Sequence, residues 1–401
     1  MAEADIVITG DFVKRVDDEF ALLTAVGYQR QGLVALKGVI GNYDDADWRT
    51  RIVRSELDYL GLHDVPAGVG TDTNRETTHD YERKTNFPVS SVTLPSAKEV
   101  YGEVLEDAPD GSLTLIFNSV LTDAARLLDN EPDLYSQKVG HTVIQAGVQA
   151  SCHGPTLSDE GFLQPDDSFN NICAPDDAEY LYAALQGRGL RTTFVGRNTV
   201  RGKVYLDGPT LMIWSRTNPL AKTIYERAKD ASEAEWEHDI LPLLAKDVAI
   251  PDTLATNLFY KIGTRIPHKK YIDRPLCEPE IQTALFVAKF QQSFHPYDSV
   301  TVSAAIPSIR EHFFAADEFD IHGTRQRVLG LTETSNGVRC PGQYSHHLME
   351  KMVQAVPIKD DAAAHVVMYS KLYNRDCKPH DCRIDGCDHG YTPTEEAYLW
   401  S

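Results

Sequence analysis

The chain lacks any run of about 18 apolar residues, so no membrane-spanning helix is expected. It also lacks a basic segment followed by an apolar core at its start: Met1-Ala-Glu-Ala leads straight into a strand-like stretch, and no secretory leader is expected. Cysteine is sparse, seven residues spread from Cys152 to Cys387 without the paired spacing of a disulfide framework. That usage suits a reducing compartment, and the cytoplasm is the expected location. Basic residues are outnumbered, 39 Lys and Arg against 59 Asp and Glu, for a formal charge of −20. Such a surface repels phosphate polymers, which argues against nucleic acid as a partner. There is no internal repeat and no low-complexity tract. What is present, 42% hydrophobic and 24% charged residues, is the composition of an ordinary folded globular protein with a sizeable core, expected as one domain over residues 1–401.

The most informative feature is the set Asp11, Asp17 and Asp18, where the apolar stretch Asp5-Ile-Val-Ile-Thr9 meets a helical pattern. Carboxylates this close repel one another, so a fold that gathers them needs a cation or a sugar's hydroxyls in compensation. The plainer reading is that Asp17 and Asp18 only start a helix, where the macrodipole favours negative charge. A hard cation such as Ca2+ takes about 6–8 oxygen ligands, so other segments must complete its shell.

Strand-like runs at Ile6–Thr9, Leu33–Ile40, Leu113–Phe117 and Thr142–Ala146 alternate with helical patterns near Asp18–Val26, Asp45–Leu60, Leu121–Leu128 and Asp176–Leu185. This alternation predicts an α/β fold: a mostly parallel, Rossmann-like open sheet with helices on both faces. In such sheets ligands bind beyond the carboxyl ends of the strands, where Asp11, Asn42 and Asn118 all fall. The polar stretch Asp72–Val100 reads as a long loop, and its His79, Tyr81 and Glu82 are candidates for a lid over the site, with a solvated insertion as the alternative.

Asp-x-x-x-x-Val-Asp-Asp-x-x-Ala-Leu, from Asp11 to Leu22, resembles the N-terminal signature of the inosine-uridine preferring nucleoside hydrolase family. In the same order follow Gly38-Val-Ile-Gly-Asn42, Val65-Pro-Ala-Gly-Val-Gly70, Leu113 to Thr122, His141 to Gly147, Phe169-Asn170 ahead of Pro175, and Tyr297-Asp298-Ser-Val-Thr-Val. The resemblance spans about residues 5–305 and leaves 313–401 as a family-atypical region. It implies the nucleoside hydrolase fold and Ca2+-dependent hydrolysis of the N-glycosidic bond of a ribonucleoside or related riboside. It implies a metal held by Asp11, Asp18, Asp298 and the Asn118 carbonyl, with Asp11 as general base. Asp17, Asn42 and Asn170 are then the sugar-binding residues, joined by Tyr81 and Glu82 from the lid, and the protein is a homodimer or homotetramer.

Several residues depart from the family pattern. Thr9 replaces a first aspartate, Lys14 and Arg15 replace small or acidic residues, Ser168 replaces an acidic residue near the ribose 5′ position, and Ala174 replaces the aspartate before the proline. Tyr297 stands in place of a histidine that helps the base to leave; its phenol can donate a proton or stack, and His79, His268 and His295 are substitute acids. These departures motivate an alternative, a ribosyl-binding relative without turnover. A haloacid-dehalogenase-type phosphatase is a further alternative, disfavoured because Thr9 cannot form an acyl-phosphate. Near the end of the chain, Cys377, Cys382, Cys387 and His389 have the residue types of a structural Zn2+ site, but their spacing favours free thiols.

Overall fold

The computed structural model describes residues 2–73, 80–86, 88–151, 154–200, 204–216, 218–235, 293–332 and 337–356. His79, His268 and the proposed zinc ligands Cys377, Cys382, Cys387 and His389 lie outside these residues, as does the side chain of Tyr81.

The principal elements are β1 (Ala4–Gly10), α1 (Asp17–Arg30), β2 (Val34–Gly41), α2 (Ala46–Tyr59), β3 (Ala67–Val69), α3 (Ala97–Asp107), β4 (Leu113–Phe117), α4 (Thr122–Asn130) and β5 (Val139–Ile144). They continue with α5 (Phe169–Cys173), α6 (Pro175–Gly187), β6 (Thr192–Val195), α7 (Pro219–Glu235), α8 (Tyr297–Ala305), β7 (Asp317–Ile321), β8 (Thr324–Leu329) and α9 (Pro341–Ala355). Eight strands form one sheet in the order β7-β8-β6-β5-β4-β1-β2-β3. Every neighbouring pair is parallel except the β7–β8 hairpin at the edge. Covered on both faces, the central strands read as continuous apolar runs: Ile6, Val7 and Ile8 in β1 are all buried, as is every residue of β4.

Each strand and helix predicted from the periodicity is present, with ends shifted by a few residues. Two expectations change. The stretch 72–100 is not loop throughout: a short 3-10 turn occupies Asp80–Arg83, and α3 starts at Ala97. A capping box starts it, with Glu99 N–H donating to the Ser96 side chain and the Ser96 N–H to the Glu99 carboxylate, a Ser-x-x-Glu signal legible in the sequence. The region after residue 313 contributes the β7–β8 hairpin to the main sheet and a helix that packs on α1.

Helix α1 is buried on nearly every side, since α8 and α9 both cover it. Polar contacts fix the packing: the Thr24 hydroxyl donates to Ser299 Oγ at 3.2 Å, and Tyr28 Oη lies 3.0 Å from Ser303 Oγ and 2.9 Å from His347 Nε2. Gly27 permits the close approach of α9, because a Cβ there would lie 2.2 Å from the Lys351 carbonyl oxygen. Gly27→Ala is therefore expected to destabilise the protein by about 1–3 kcal/mol despite alanine's better helix propensity. Urea unfolding of the variant measures this, and unchanged stability would show that α9 does not bear on α1.

Candidate metal and sugar site

Parallel strands bring their carboxyl ends to one edge, and backbone bonds lock those ends together. Asn42 N–H donates to the Gly10 carbonyl at 3.0 Å, Asn118 N–H to Thr9 at 2.8 Å, and Gln145 N–H to Phe117 at 2.8 Å. Over this edge sit the first turns of α1 and α8, which carry Asp17, Asp18 and Asp298. Ligand-competent oxygens of these three carboxylates all lie within 4.8 Å of one another. Two helix N-termini meeting there offset part of the repulsion.

Asp18 is the centre of the set. It is 1% exposed, and neither carboxylate oxygen has a hydrogen-bond donor among the described residues. Gly10 makes the room: a Cβ there would lie 2.0 Å from Asp18 Oδ1. Burial, followed by the charges of Asp298 and Asp11, pushes the Asp18 pKa well up. Burial also raises Asp298, reinforced by Asp17 and Asp11. Asp11 is half-buried beside Asp18. Buried carboxylate oxygens without donors, gathered at the ends of a sheet, are the donor set a hard cation takes. Thus Asp17, Asp18 and Asp298 lie together, with Asp11 against Asp18.

The asparagines are oriented by the frame. Asn42 Nδ2 donates to the Val120 carbonyl at 3.1 Å and to Asp123 Oδ2 at 3.0 Å. Two acceptors dictate which end of the amide is NH2, so Oδ1 is the end left buried, without a donor among the described residues. Asp123 itself is held by the backbone N–H and the hydroxyl of Thr71. Asn170 Nδ2 donates to the Asn118 carbonyl at 2.9 Å and the Gln145 carbonyl at 2.7 Å, so its acceptor oxygen is what it has left for a ligand. The Asn118 carbonyl keeps a second lone pair. The Asn118 side chain accepts from the Thr301 hydroxyl through Oδ1, and its Nδ2 is buried without a partner among the described residues.

Glu82 differs from its expected place in a lid. It is buried, and its carboxylate pairs with Arg49 at 2.7 Å. Arg49 also donates to the Phe12 carbonyl at 2.7 Å and the Asp11 carbonyl at 3.3 Å, so the pair anchors the turn that carries Asp11. A second buried cation, Arg227, lies 2.9 Å from Glu19 and 3.5 Å from Glu56 and donates to the Lys84 carbonyl. Burial raises both glutamates, with Arg227 opposing. Glu19 in turn accepts from the Val13 N–H at 3.0 Å. Val13, Tyr43 and Asp45, in the turns after β1 and β2, have φ of 65°, 76° and 58°, a strained conformation for residues other than glycine.

The departures from the family pattern also find places. Thr9 is buried with its hydroxyl bonded to Tyr101 Oη, so a neutral pair stands where the resemblance implies a carboxylate. Lys14 Nζ lies 3.7 Å from the Tyr43 ring centroid and 4.4 Å from that of Phe169, and Arg15 is exposed. Tyr297 opens α8 beside Asp298, and its ring centroid is 5.9 Å from that of His295. Sequence reasoning missed Arg49, Asp123 and Arg227. Arg49 was detectable, since it shares the buried face of α2 with Ile52, Val53 and Leu57 at helical spacing.

No protein-family model and no curated protein matches the chain. Solved structures do. The type III effector XopQ, complexed with adenosine diphosphate ribose, is 19% identical and superposes with a TM-score of 0.65 over 92% of this chain and 95% of its own. A plant nucleoside hydrolase, PpNRh1, gives 0.55 at 15% identity, over 87% of this chain and 99% of that one. A purine-preferring ribonucleoside hydrolase from Gardnerella vaginalis gives 0.52 at 13%, over 91% and 99%. The chain therefore has the fold of the nucleoside hydrolases over about nine-tenths of its length.

The raised carboxylates set a pH dependence. The folded state keeps protons on Asp18 and Asp298 that the unfolded chain releases near pH 3.8, so without a cation stability falls as pH rises above that value. A bound divalent cation removes this penalty. The gain in thermal midpoint on adding Ca2+ is expected to grow between about pH 4.5 and pH 7.5; a gain that is absent, or that shrinks with rising pH, would mean that no cation neutralises the site.

Proposed function

We propose that this protein is a Ca2+-dependent N-ribosyl hydrolase that splits a ribonucleoside or related riboside into ribose and free base. The observation that carries the reading is the set Asp17, Asp18 and Asp298, the last two buried and both Asp18 oxygens lacking donors among the described residues, at the strand ends of a fold shared with nucleoside hydrolases. Asp18, Asp298 and the Asn118 carbonyl would hold the ion, with Asp17 or Asp11 beside them. When bound, Ca2+ supplies Lewis acidity and anchors the ribose hydroxyls.

The chain's own residues do the rest. Asp11, on the turn fixed by Arg49, takes a proton from the attacking water as general base. Asn42 offers Oδ1 and Asn170 its acceptor oxygen to water and sugar hydroxyls, orienting them without adding positive charge. Neutral amides and carboxylates suit the cationic, oxocarbenium-like sugar of the transition state, which a lysine at the same place would oppose. Tyr297 serves the departing base, by proton donation or by stacking. One domain, a homo-oligomeric state and a cytoplasmic location belong to the same proposal.

A second reading, ribosyl binding without turnover, has specific support. Thr9 and Tyr101 close the place of one carboxylate, and the effector XopQ was solved with adenosine diphosphate ribose. Release of reducing sugar from a panel of purine, pyrimidine and modified ribosides, with Ca2+ and after chelation, separates the two. Chelator-sensitive release that falls by at least about 10²-fold in Asp11→Asn establishes the hydrolase; Ca2+-dependent riboside binding with no release from any substrate establishes the binder.

Asp123 is expected to act through Asn42. Its removal as Asp123→Asn frees the Asn42 amide to rotate and is expected to lower kcat by about 10-fold with little change in KM. The double variant with Asn42→Ala should be no slower than Asn42→Ala alone. Additive losses would show that Asp123 has only a general structural role.

A further inference from the structure

We propose that Gln145 is a specificity-determining residue of the riboside site, its amide NH2 donating to a sugar hydroxyl that itself donates to the Asn170 acceptor oxygen. The inference rests on the riboside reading above and names a further residue of that site. The sequence marks the position: Gln145, itself half-buried, interrupts the run Val143, Ile144 and Ala146, all fully buried. It follows directly on β5, where its backbone N–H donates to the Phe117 carbonyl at the end of β4 at 2.8 Å. A polar side chain kept at the end of a central strand carries a desolvation cost that its hydrogen bonds must offset.

Three contacts fix which way the amide faces. Asn170 Nδ2 lies 2.9 Å from the Asn118 carbonyl, 2.7 Å from the Gln145 carbonyl and 2.6 Å from Gln145 Oε1. Two of these acceptors are backbone oxygens, so that end of Asn170 is its NH2 group, and the end of Gln145 that it meets is the oxygen. Gln145 Nε2 and Asn170 Oδ1 are the ends left over, and neither has a partner among the described residues. A donor and an acceptor thus lie open on adjoining amides. The pair stands against the residues proposed to hold the cation: Asn170 bonds the Asn118 carbonyl, and the Asn118 side chain accepts from Thr301 Oγ1 at 2.6 Å, one helical turn after Asp298 in α8.

An open donor beside an open acceptor selects its ligand by the sense of the hydrogen bonds. A hydroxyl satisfies both through one oxygen: it accepts from Gln145 Nε2 and donates to Asn170 Oδ1, closing a ring with the Asn170–Gln145 bond. A deoxy carbon satisfies neither group, an ether oxygen satisfies only the donor, and the oxygens of a carboxylate or phosphate set their lone pairs against Asn170 Oδ1. Once water is displaced, an unmatched amide end carries the desolvation cost of an unmade bond, so such a pair discriminates more sharply than an apolar contact. Both amides are neutral and do not oppose the positive charge that develops on the sugar. Two backbone carbonyls hold Asn170 in place independently of the Gln145 side chain, so replacing Gln145 leaves the Asn170 oxygen where it is.

The test uses methyl β-D-ribofuranoside and its 2-, 3- and 5-deoxy counterparts, which carry no base and no labile leaving group, titrated calorimetrically in the presence of Ca2+ against the full chain, Gln145→Met and Gln145→Leu. At one of the three positions, loss of the hydroxyl is expected to weaken binding to the parent protein by about 10-fold, and that ratio should collapse toward one in both variants while the ratios at the other two positions persist. Ratios that all survive in the variants overturn the proposal, including the case in which both variants bind all four sugars equally more weakly, which is the mark of a structural role. A parent protein indifferent to every one of the three hydroxyls overturns it as well. Failure of methyl β-D-ribofuranoside itself to bind the full chain would remove the riboside reading and this proposal with it.

Discussion

Carboxyl groups buried together, so that ionising them is opposed by burial and by one another, at the carboxyl ends of the central strands, are the constraint on which the rest of this structure depends. Asp18 and Asp298 are both buried, and among the described residues Asp18 has no hydrogen-bond donor at either oxygen. Ionising a carboxyl in that state costs far more than a typical hydrogen bond contributes, so the groups hold their protons until a positive charge compensates them. The surroundings mitigate the repulsion without removing it. Two helix N-termini face the cluster, and Gly10 gives the Asp18 carboxylate room to sit against the backbone.

The two buried arginines stand around this centre rather than in it. Arg49 spends its guanidinium on Glu82 and on the carbonyls of Asp11, Phe12 and Asp44, and Arg227 spends its own on Glu19, Glu56 and Lys84. Each ties the segment after residue 80 to the helices that carry the site. Removing one partner from either network would leave a buried charge uncompensated, which is why such pairs hold geometry firmly even where they add little net stability. The strained backbone at Val13, Tyr43 and Asp45 is confined to the turns these networks hold. Positioning is thus distributed: the strands place the asparagines, the helices place the carboxylates, and the arginines fix the turns between them.

The same logic explains why the site's amides point as they do. Asn42 and Asn170 turn their NH2 ends toward carbonyls and the Asp123 carboxylate, and so present oxygen to the site. A centre built from carboxylates and amide oxygens suits a cation and the hydroxyls of a sugar, and it suits the positive charge of a ribosyl transition state. Toward β6 and β8 the edge bounds a cavity lined by Arg197 and Asn198 together with the carboxylates of Asp166 and Asp167.

Much of this was legible in the sequence. Continuous apolar runs alternating with helical periodicity determine a parallel sheet covered on both faces, because strands hidden from water on two sides carry no polar alternation. Residues that end those strands must then lie on one edge, so Asp11, Asn42 and Asn118 were placed by order alone. The pair Asp17-Asp18 stood out locally, while the distant Asp298 was named only through the family resemblance. Only the tertiary structure decided the rest. That Glu82 is sealed against Arg49, that Asp123 orients Asn42, and that Arg227 joins α1 to α2 are contacts between residues 33 to 208 positions apart, with no local pattern to announce them. Periodicity reports which side of an element faces the core; which buried charges meet there depends on packing, and packing is a property of the whole chain.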